Sequence, residues 1–536
     1  MEKKKKKRRD KRQPKIQVQE KNEFHFWNKI IFIAILVFAG MFFSQKIYFI
    51  NADIGRHIRN GEYFFKVLFP VSTNFYSYTE PNLFVVNHHW ASGAVFYGVW
   101  KLFGFSGISF FNILLYVAAF AFFFKTAEKL SGFKYACVFS ILSVPLISFR
   151  TEIRPEVFSF LFLGVYYYVL QLFDKKKLSF KRLLIVILPL QLFWVNMHIF
   201  FVLGIFLIGV FWLNSIMNAN RKDFRGYYFG LGFSVLLVSF LNPFGIRGFL
   251  EPFLVLKEYG YMIAENQSVF FMQKRFPLNF RYVHFEVLFL FIASVFTLRF
   301  FKGRKRFIFK DFLLMFSFSV LSWRMIRGIP IFGFFFIPIG AVTVYQLMKE
   351  PFIYRYRRVL KKTGICACSV MIAAFIFSGD QAYSPLAGKL GLGLYPGVNA
   401  SADFLKNVRI KGPILNNYDI GGYLIFHLFP GYRVFVDNRP EAYTVAFFKE
   451  EYEPLQEHEN KWREIDKKYG FNCICFYRHD MTPHAQPFLI KRIEDPEWIP
   501  VFVDDYAIIL LKQNKQNEEI IRRYELPQSM FKITHN

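Results

Sequence analysis

The chain has 536 residues, of which 54% are hydrophobic, 21% aromatic and only 20% charged, a balance too apolar for a soluble protein of this length. Its net charge of +29 comes mainly from Lys and Arg in the N-terminal tail and between apolar blocks, which marks membrane topology and excludes a nucleic-acid-binding surface. The apolar blocks run to about the 20 residues that cross ~30 Å of hydrocarbon, so the chain reads as an all-α polytopic membrane protein.

Residues 1–26 carry EKKKKKRRDKR, a cationic arm expected on the cytoplasmic side against anionic lipid headgroups. The span at 27–50 is too long for the apolar core of a secretory signal and lacks a small-residue cleavage site. Residues 51–106 then form one large external loop. Within it 91–103 is short for a crossing and carries Lys101, so it reads as an interfacial helix on the outer leaflet.

The later spans fall in pairs near 107–124 and 133–149, 156–173 and 183–198, 199–216 and 227–241, 284–300 and 309–323, and 327–347 and 363–379. Each pair is joined by a basic loop such as DKKKLSFKR or KEPFIYRYRRVLKK, so every second loop faces the cytoplasm. Eleven spans result, within a transmembrane region covering 27–380. The external loops between pairs carry Arg150, Glu152, Arg154 and Glu156, then Trp194 to His198, then the segment 242–282, then Arg324 and Arg327. With the first loop they are expected to line one outward-facing cavity.

From 381 to 536 the apolar runs shorten to strand length and acids return, as in a small external α/β domain. Strands are expected at 412–417, 432–437 and 469–476, with a hairpin of Trp498–Val503 and 506–512 turning at Asp504 and Asp505. Residues 419–427 read as a turn entering a helix. Gly421 and Gly422 lack the third glycine and the later acid of a dinucleotide fingerprint and read as a tight turn. Cys473 and Cys475 share one strand face, Cys137, Cys366 and Cys368 fall in spans, and no pair has zinc-site spacing.

Chemistry concentrates at residues 51–90. Asp53 and His57 are four apart and share one face of a short helix, followed by His88, His89 and Trp90. They could bind a metal, form a base with its orienting group, or cap a helix. Arginines at a membrane lip are costly to desolvate and suit an anion, either a headgroup or a lipid-linked phosphate. Arg56 and Arg59 flank the pair, and Arg150, Arg154, Arg324 and Arg327 recur on the same side. Tyr63, Phe64, Phe75, Tyr76, Tyr78 and Trp90 could stack on sugar rings or form an interfacial aromatic belt.

These motifs resemble a group of uncharacterised bacterial membrane proteins related to the GT-C (C-type) glycosyltransferases. The likeness runs through Asp53, His57 to Gly61, Pro70, Phe75 to Thr79, His88 to Trp90, Arg154 to Ser159, Trp194 to His198, Asn242 to Gly245 and Arg327 to Phe332. It continues in the tail at Asn417 to Tyr423 and Val436 to Arg439. His89 stands where the group usually has Glu, which leaves Asp53 as the main acid of the first loop.

The resemblance implies sugar transfer, with inversion, from a polyprenyl-phosphate-linked donor to a glycan, lipid or protein acceptor at the external face of the bacterial cytoplasmic membrane. It gives Asp53 the role of general base, with Arg56, His57, Arg59, Arg154 and Arg327 supporting the donor phosphate. His88, His89, Trp90, Glu152, Glu156 and His198 would contact substrate or a divalent cation, Mg or Mn, in a version that uses one. The competing readings are a transporter or flippase of a lipid-linked glycan, which would place ionisable residues mid-span, and a non-catalytic subunit of a cell-envelope assembly system.

Overall fold

The computed structural model describes residues 26–254, 258–277, 279–302, 309–356 and 390–531, with isolated positions between 358 and 373. The basic tail and the span expected at 363–379 lie outside the described residues. At each of the other ten expected spans there is a helix: α1 (Phe26–Phe43), α3 (Trp90–Ser131), α4 (Phe133–Ile147), α5 (Glu156–Asp174), α6 (Phe180–Met197), α7 (Val202–Met217), α8 (Arg225–Val238), α11 (Phe280–Lys302), α12 (Phe309–Arg324) and α13 (Ile329–Leu347). Among the described residues, seven helical segments are long and apolar enough to cross a bilayer.

Burial separates lipid-facing from central helices. In the span ending in α13, 89% of the apolar window is buried, against 22% in α1, so α13 is the axis of the bundle. Glycines let it approach α4: a Cβ at Gly340 would lie 2.6 Å from the Phe139 ring and one at Gly333 2.9 Å from Leu146. At the far ends of α5 and α12, the Lys310 ammonium bridges Asp174 and Gln171, both at 3.0 Å. Buried charges of this kind persist only when paired.

The first loop folds as a unit. The span expected to reach residue 50 stops as helix at Phe43, because the backbone at Gln45 and Ile47 pairs with Leu390 and Leu394 on the chain leading into the C-terminal region. Helix α2 (Ile54–Val67) follows. The 42 residues of α3 are two helices joined at Gly104, whose φ of 64° and ψ of −162° lie outside helical geometry, as the division at 103 anticipates. Glycine is required there because the positive φ strains any other L-residue. The first part of α3 lies against α2 at a backbone crossing, where a Cβ on Gly61 would fall 2.1 Å from the Gly93 carbonyl oxygen. Leu102 and Phe103 stay exposed at its end.

Three short helices lie on the cavity-side connections or beyond the bundle: α9 (Gly245–Leu254), α10 (Val269–Arg275) and α14 (Pro351–Tyr354). The C-terminal region adds α15 (Ala400–Asn407), α16 (Gly421–Leu428), α17 (Glu459–Tyr469), α18 (Ala485–Glu494) and a four-stranded mixed sheet. Its strands are β1 (Ile414–Asn416), β2 (Cys473–Tyr477), β3 (Trp498–Val503) and β4 (Ala507–Lys512), in the order β1-β2-β4-β3. Strands β1 and β2 run parallel and the other pairs antiparallel. The expected hairpin is β3 and β4.

The period-two alternation of the sheet divides two cores. Cys473, Cys475, Ile509 and Leu511 belong to the same buried cluster as the helix bundle. Ile474, Phe476, Ile508 and Leu510 face a second cluster with Trp462 and Phe488. The C-terminal region is thus cored into the bundle on one side of its sheet.

The strand expected at 432–437 does not form. Val434 pairs instead with the first loop, in an isolated parallel bridge to Ser77, with its N–H donating to the Tyr76 carbonyl at 3.0 Å and its carbonyl accepting from Tyr78 at 3.1 Å. Alternating apolar residues signal an extended, half-buried backbone whatever it pairs with, and here the mate is the loop of residues 74–80. Arg439 completes the joint with a two-pronged contact to Asp437, 2.7 Å on each side, and a 2.6 Å bond to Asn74 Oδ1.

Candidate active site

A cavity of about 450 Å³ lies between the joined loops of the bundle and the C-terminal region. Asp53, Arg56 and His57 enter it from the start of α2, where the chain leaves α1 and turns. Close backbone approach fixes that position: a Cβ on Gly55 would sit 2.8 Å from the Gly422 carbonyl oxygen at the start of α16, and one on Gly422 would sit 3.3 Å from the Ala52 oxygen. The Gly421-Gly422 pair is therefore a docking surface for the Asp53 turn. Gly421 packs as closely on Asp437, where an added Cβ would fall 2.5 Å from the Asp437 Cα.

Arginines and acids alternate along the bundle wall. Arg154 Nη1 reaches Asp53 Oδ2 at 3.3 Å and Glu265 Oε2 at 2.6 Å, and its Nε lies 3.4 Å from Glu152. Arg150 bonds Glu265 at 2.9 Å and Glu156 at 3.0 Å. Burial alone would raise the Glu265 carboxyl, but Arg150, Arg154 and Arg327 hold it well below the usual carboxylate range, as opposite charges within a few ångströms do.

Two arginines keep donors to spare. Arg56 makes one bond, from Nε to Asn438 Oδ1 at 3.3 Å, and a 3.9 Å contact with Asp53. Arg327 lies 3.9 Å from Glu265 and its buried Nε has no acceptor. Both line the cavity. A guanidinium with unfilled donors in a buried setting is suited to a phosphate oxygen.

The four histidines form one wall. His57 and His89 ring centres are 5.4 Å apart, His88 and His89 3.9 Å, and His89 and His198 5.3 Å. Burial pushes His57, His89 and His198 well below the ordinary imidazole value and His88 to about 4, so near neutral pH all four are uncharged hydrogen-bonding groups. His198 is oriented by Ser159 Oγ, 2.8 Å from its Nδ1.

A divalent cation finds no assembled ligand set among the described residues. It needs several oxygen or nitrogen ligands within ~2.0–2.6 Å, whereas Asp53, Glu156 and Glu265 all face arginines. Among the described residues no group of three His, Cys, Asp or Glu side chains converges to hold an ion.

Of the residues singled out in the sequence, Asp53, Arg56, His57, His88, His89, Arg154, Glu156, His198 and Arg327 all line this cavity. Arg59, Trp90 and Glu152 do not. Arg59 donates to the Phe426 carbonyl of α16 from Nε at 2.9 Å and from Nη2 at 2.5 Å, and pairs with Glu62, so it clamps α2 to the C-terminal region. Trp90 donates to Asn196 Oδ1 at 3.0 Å and packs on Phe64, joining α3 to α6. Glu152 is 62% exposed outside the cavity and braces Arg154 from behind. The aromatic residues Tyr63, Phe75 and Tyr76 stack on one another and on Phe429, holding the first loop to the C-terminal region.

Sequence reasoning missed Glu265, in the long segment 242–282, and the whole opposite wall: Tyr418, Asp419, Asn438, Glu441, His479 and Asp480. Glu265 had one available signal, since three arginines on neighbouring loops need counter-charges. Asp419 stands in a stretch that reads as a turn, Asp480 lies in none of the motifs singled out, and their approach depends on the β1 and β2 pairing.

Between 89% and 91% of the chain superposes on solved membrane proteins of one architecture. It matches the archaeal oligosaccharyltransferase AglB from Archaeoglobus fulgidus, in complex with an inhibitory peptide and a dolichol-phosphate, with a TM-score of 0.58 and 10% identity over 89% of this chain and 73% of that one. It matches ArnT from Cupriavidus metallidurans bound to undecaprenyl phosphate at 0.55 and 12%, over 91% of this chain and 98% of that one. The chain has the GT-C fold. A third GT-C structure, the arabinofuranosyltransferase AftD from Mycobacteria, matches at 0.51 and 14% over 91% of this chain but only 40% of that longer one. No protein-family model and no curated protein matches the sequence. With this fold and its apolar helices, the chain is an integral membrane protein.

Proposed function

We propose that this GT-C chain is a glycosyltransferase that moves a sugar from a polyprenyl-phosphate carrier to a hydroxyl acceptor, by single displacement with inversion at the anomeric carbon. The observation that carries the reading is one cavity holding two under-used arginines, Arg56 and Arg327, beside an ionised pair, Asp53 with Arg154. In this reading the carrier phosphate binds Arg56 and Arg327, which stabilise the charge it gains as the glycosidic C–O bond breaks. Asp53 faces the anomeric carbon, which becomes positive in the same step. The neutral histidine wall offers hydrogen bonds to sugar hydroxyls. Arg150 and Arg154, paired with Glu156 and Glu265, brace the wall.

The basic-loop pattern supports a cytoplasmic N-terminus, with this cavity on the external face of a bacterial cytoplasmic membrane. The chain's resemblance to ArnT and AglB, solved with undecaprenyl phosphate and dolichol-phosphate, supports the same class of carrier. A flippase reading gains nothing from the site, because its charges gather at one end of the bundle rather than along a path through it.

The test is carrier binding. Hydrogen bonds to charged groups contribute about 1.5–3 kcal/mol, so Arg327→Met is expected to weaken undecaprenyl phosphate binding about 10- to 100-fold in the detergent-purified protein, and Arg327→Lys less. Equal affinity in wild type and Arg327→Met overturns this placement of the phosphate.

A further inference from the structure

The wall of the cavity facing the arginines is built by the C-terminal region and is acidic. Asp419 lies in the turn between β1 and α16, Asp480 follows β2, and Glu441 follows the Asp437 and Arg439 joint. Asp480 is fully engaged: Oδ2 accepts from Asn417 Nδ2 at 2.7 Å, and Oδ1 from the Thr482 N–H at 2.9 Å and hydroxyl at 2.8 Å. Asp419 is not. It is half-buried, lines the cavity, and makes no hydrogen bond or ion pair among the described residues. Asn438 lines the same cavity, and among the described residues its buried Nδ2 donor has no acceptor. Tyr418 of this wall packs against Tyr261 of the 242–282 segment, their ring centres 4.4 Å apart and their planes tilted by 34°, and both rings line the cavity.

Asp53 and Asp419 sit in opposite surroundings. Asp53 has both oxygens turned to cations, Arg154 at 3.3 Å and Arg56 at 3.9 Å. Asp419 faces Asp480, Asp53 and, further off, Arg154, with Tyr261, Tyr452 and Tyr477 around it. Burial, the Asp480 charge and the Asp53 charge together push its carboxyl up to about 7. A base is most effective when its proton affinity lies near the working pH and its lone pairs are free.

We propose that Asp419 is the proton acceptor of the reaction and that the C-terminal wall is the acceptor subsite, with Asn438 Nδ2 donating to an oxygen of a hydroxyl-bearing acceptor such as a sugar. The step balances within the cavity. The acceptor oxygen forms a bond to the anomeric carbon, the bond from that carbon to the carrier phosphate breaks, and the phosphate leaves with the electron pair. The acceptor's proton passes to the Asp419 carboxylate. Asp53, with its charge fixed by two arginines, remains opposite the anomeric carbon. This inference rests on the glycosyl-transfer reading above.

The experiment compares full-length wild type, Asp419→Asn, Asp419→Glu and Asn438→Ala in detergent or nanodiscs. It measures undecaprenyl phosphate binding, and carrier release from a panel of undecaprenyl-phosphate-linked sugars with a mixture of sugar alcohols and glycolipids as acceptors. Asp419→Asn is expected to bind the carrier within two-fold of wild type while kcat falls about 10³-fold. Wild-type kcat should rise with pH through about 7 and then level. That limb should vanish from the residual rate of Asp419→Asn and return, displaced, in Asp419→Glu. Asn438→Ala should raise the acceptor KM with a smaller change in kcat. A pH limb preserved in Asp419→Asn with kcat near wild type overturns this inference and leaves the function reading intact. Wild type that binds no carrier and consumes no donor overturns both.

Discussion

Asp53→Asn is expected to lower transfer about 10³-fold, the range found when a charge aimed at a transition state is removed, while the protein keeps its fold and its hold on the carrier. The asymmetry follows from the contacts. Arg154, which loses Asp53 at 3.3 Å, keeps Glu265 at 2.6 Å and Glu152 at 3.4 Å, and Arg56 keeps its bond to Asn438. The turn itself is fixed by the backbone approach of Gly55 to Gly422, which the side chain does not touch. What disappears is the negative charge facing the carbon that becomes positive as the phosphate departs. The measurement is kcat beside carrier affinity: a fall in kcat with affinity unchanged or improved is expected, because a neutral residue repels the phosphate less.

The same variant carries a second signature. The Asp53 charge is one of the causes that raise Asp419, so its removal should move the rising pH limb to lower pH. A limb that stays in place separates the two acids electrostatically and contradicts the shared-cavity account, as does near-normal kcat.

Glu265→Ala is expected to be among the most destabilising single substitutions at this end of the bundle, by about 3–5 kcal/mol, the range for stripping the counter-charge from buried cations. Glu265 faces three arginines, with Arg154 at 2.6 Å, Arg150 at 2.9 Å and Arg327 at 3.9 Å. Without it, Arg150 keeps Glu156 and Arg154 keeps Asp53, but Arg327 loses its ion pair with Glu265. The apparent unfolding temperature in detergent should fall by several degrees. Inorganic pyrophosphate should recover part of the loss by binding only the folded state, and should do so more strongly for Glu265→Ala than for wild type. An unchanged unfolding temperature would show that the arginines are satisfied without Glu265.

The topology was legible because it follows from solvent. Basic loops and apolar blocks mark the positions where α1, α3 to α8 and α11 to α13 lie, and the short amphipathic run at 91–103 foretells the break at Gly104. The β3 and β4 hairpin was legible from alternation and from the acids at its turn. Nine of the cavity-lining side chains were legible as well, because ionisable residues beside apolar spans are costly and stand out.

What was not legible depends on contacts distant in sequence. Arg59 and Trp90 look as chemical as Arg56 and His89, and only the approach of α16 and α6 shows that they are clamps. The stretch 432–437 has a strand's alternation, yet its hydrogen bonds go to residues 76–78 of the first loop. Asp419 and Asp480 are 61 positions apart in number and more than 350 beyond Asp53, so no local pattern could place them in one cavity. The sequence pointed to the external loops for the reacting groups, whereas ten of the 34 residues lining the cavity come from the C-terminal region.

The most direct test of the account is an experimental structure of the full-length protein with undecaprenyl phosphate. The account predicts the phosphate within hydrogen-bond distance of Arg56 and Arg327, in the space between Asp53 and Asp419. A phosphate seated elsewhere, with those two arginines untouched, would contradict it.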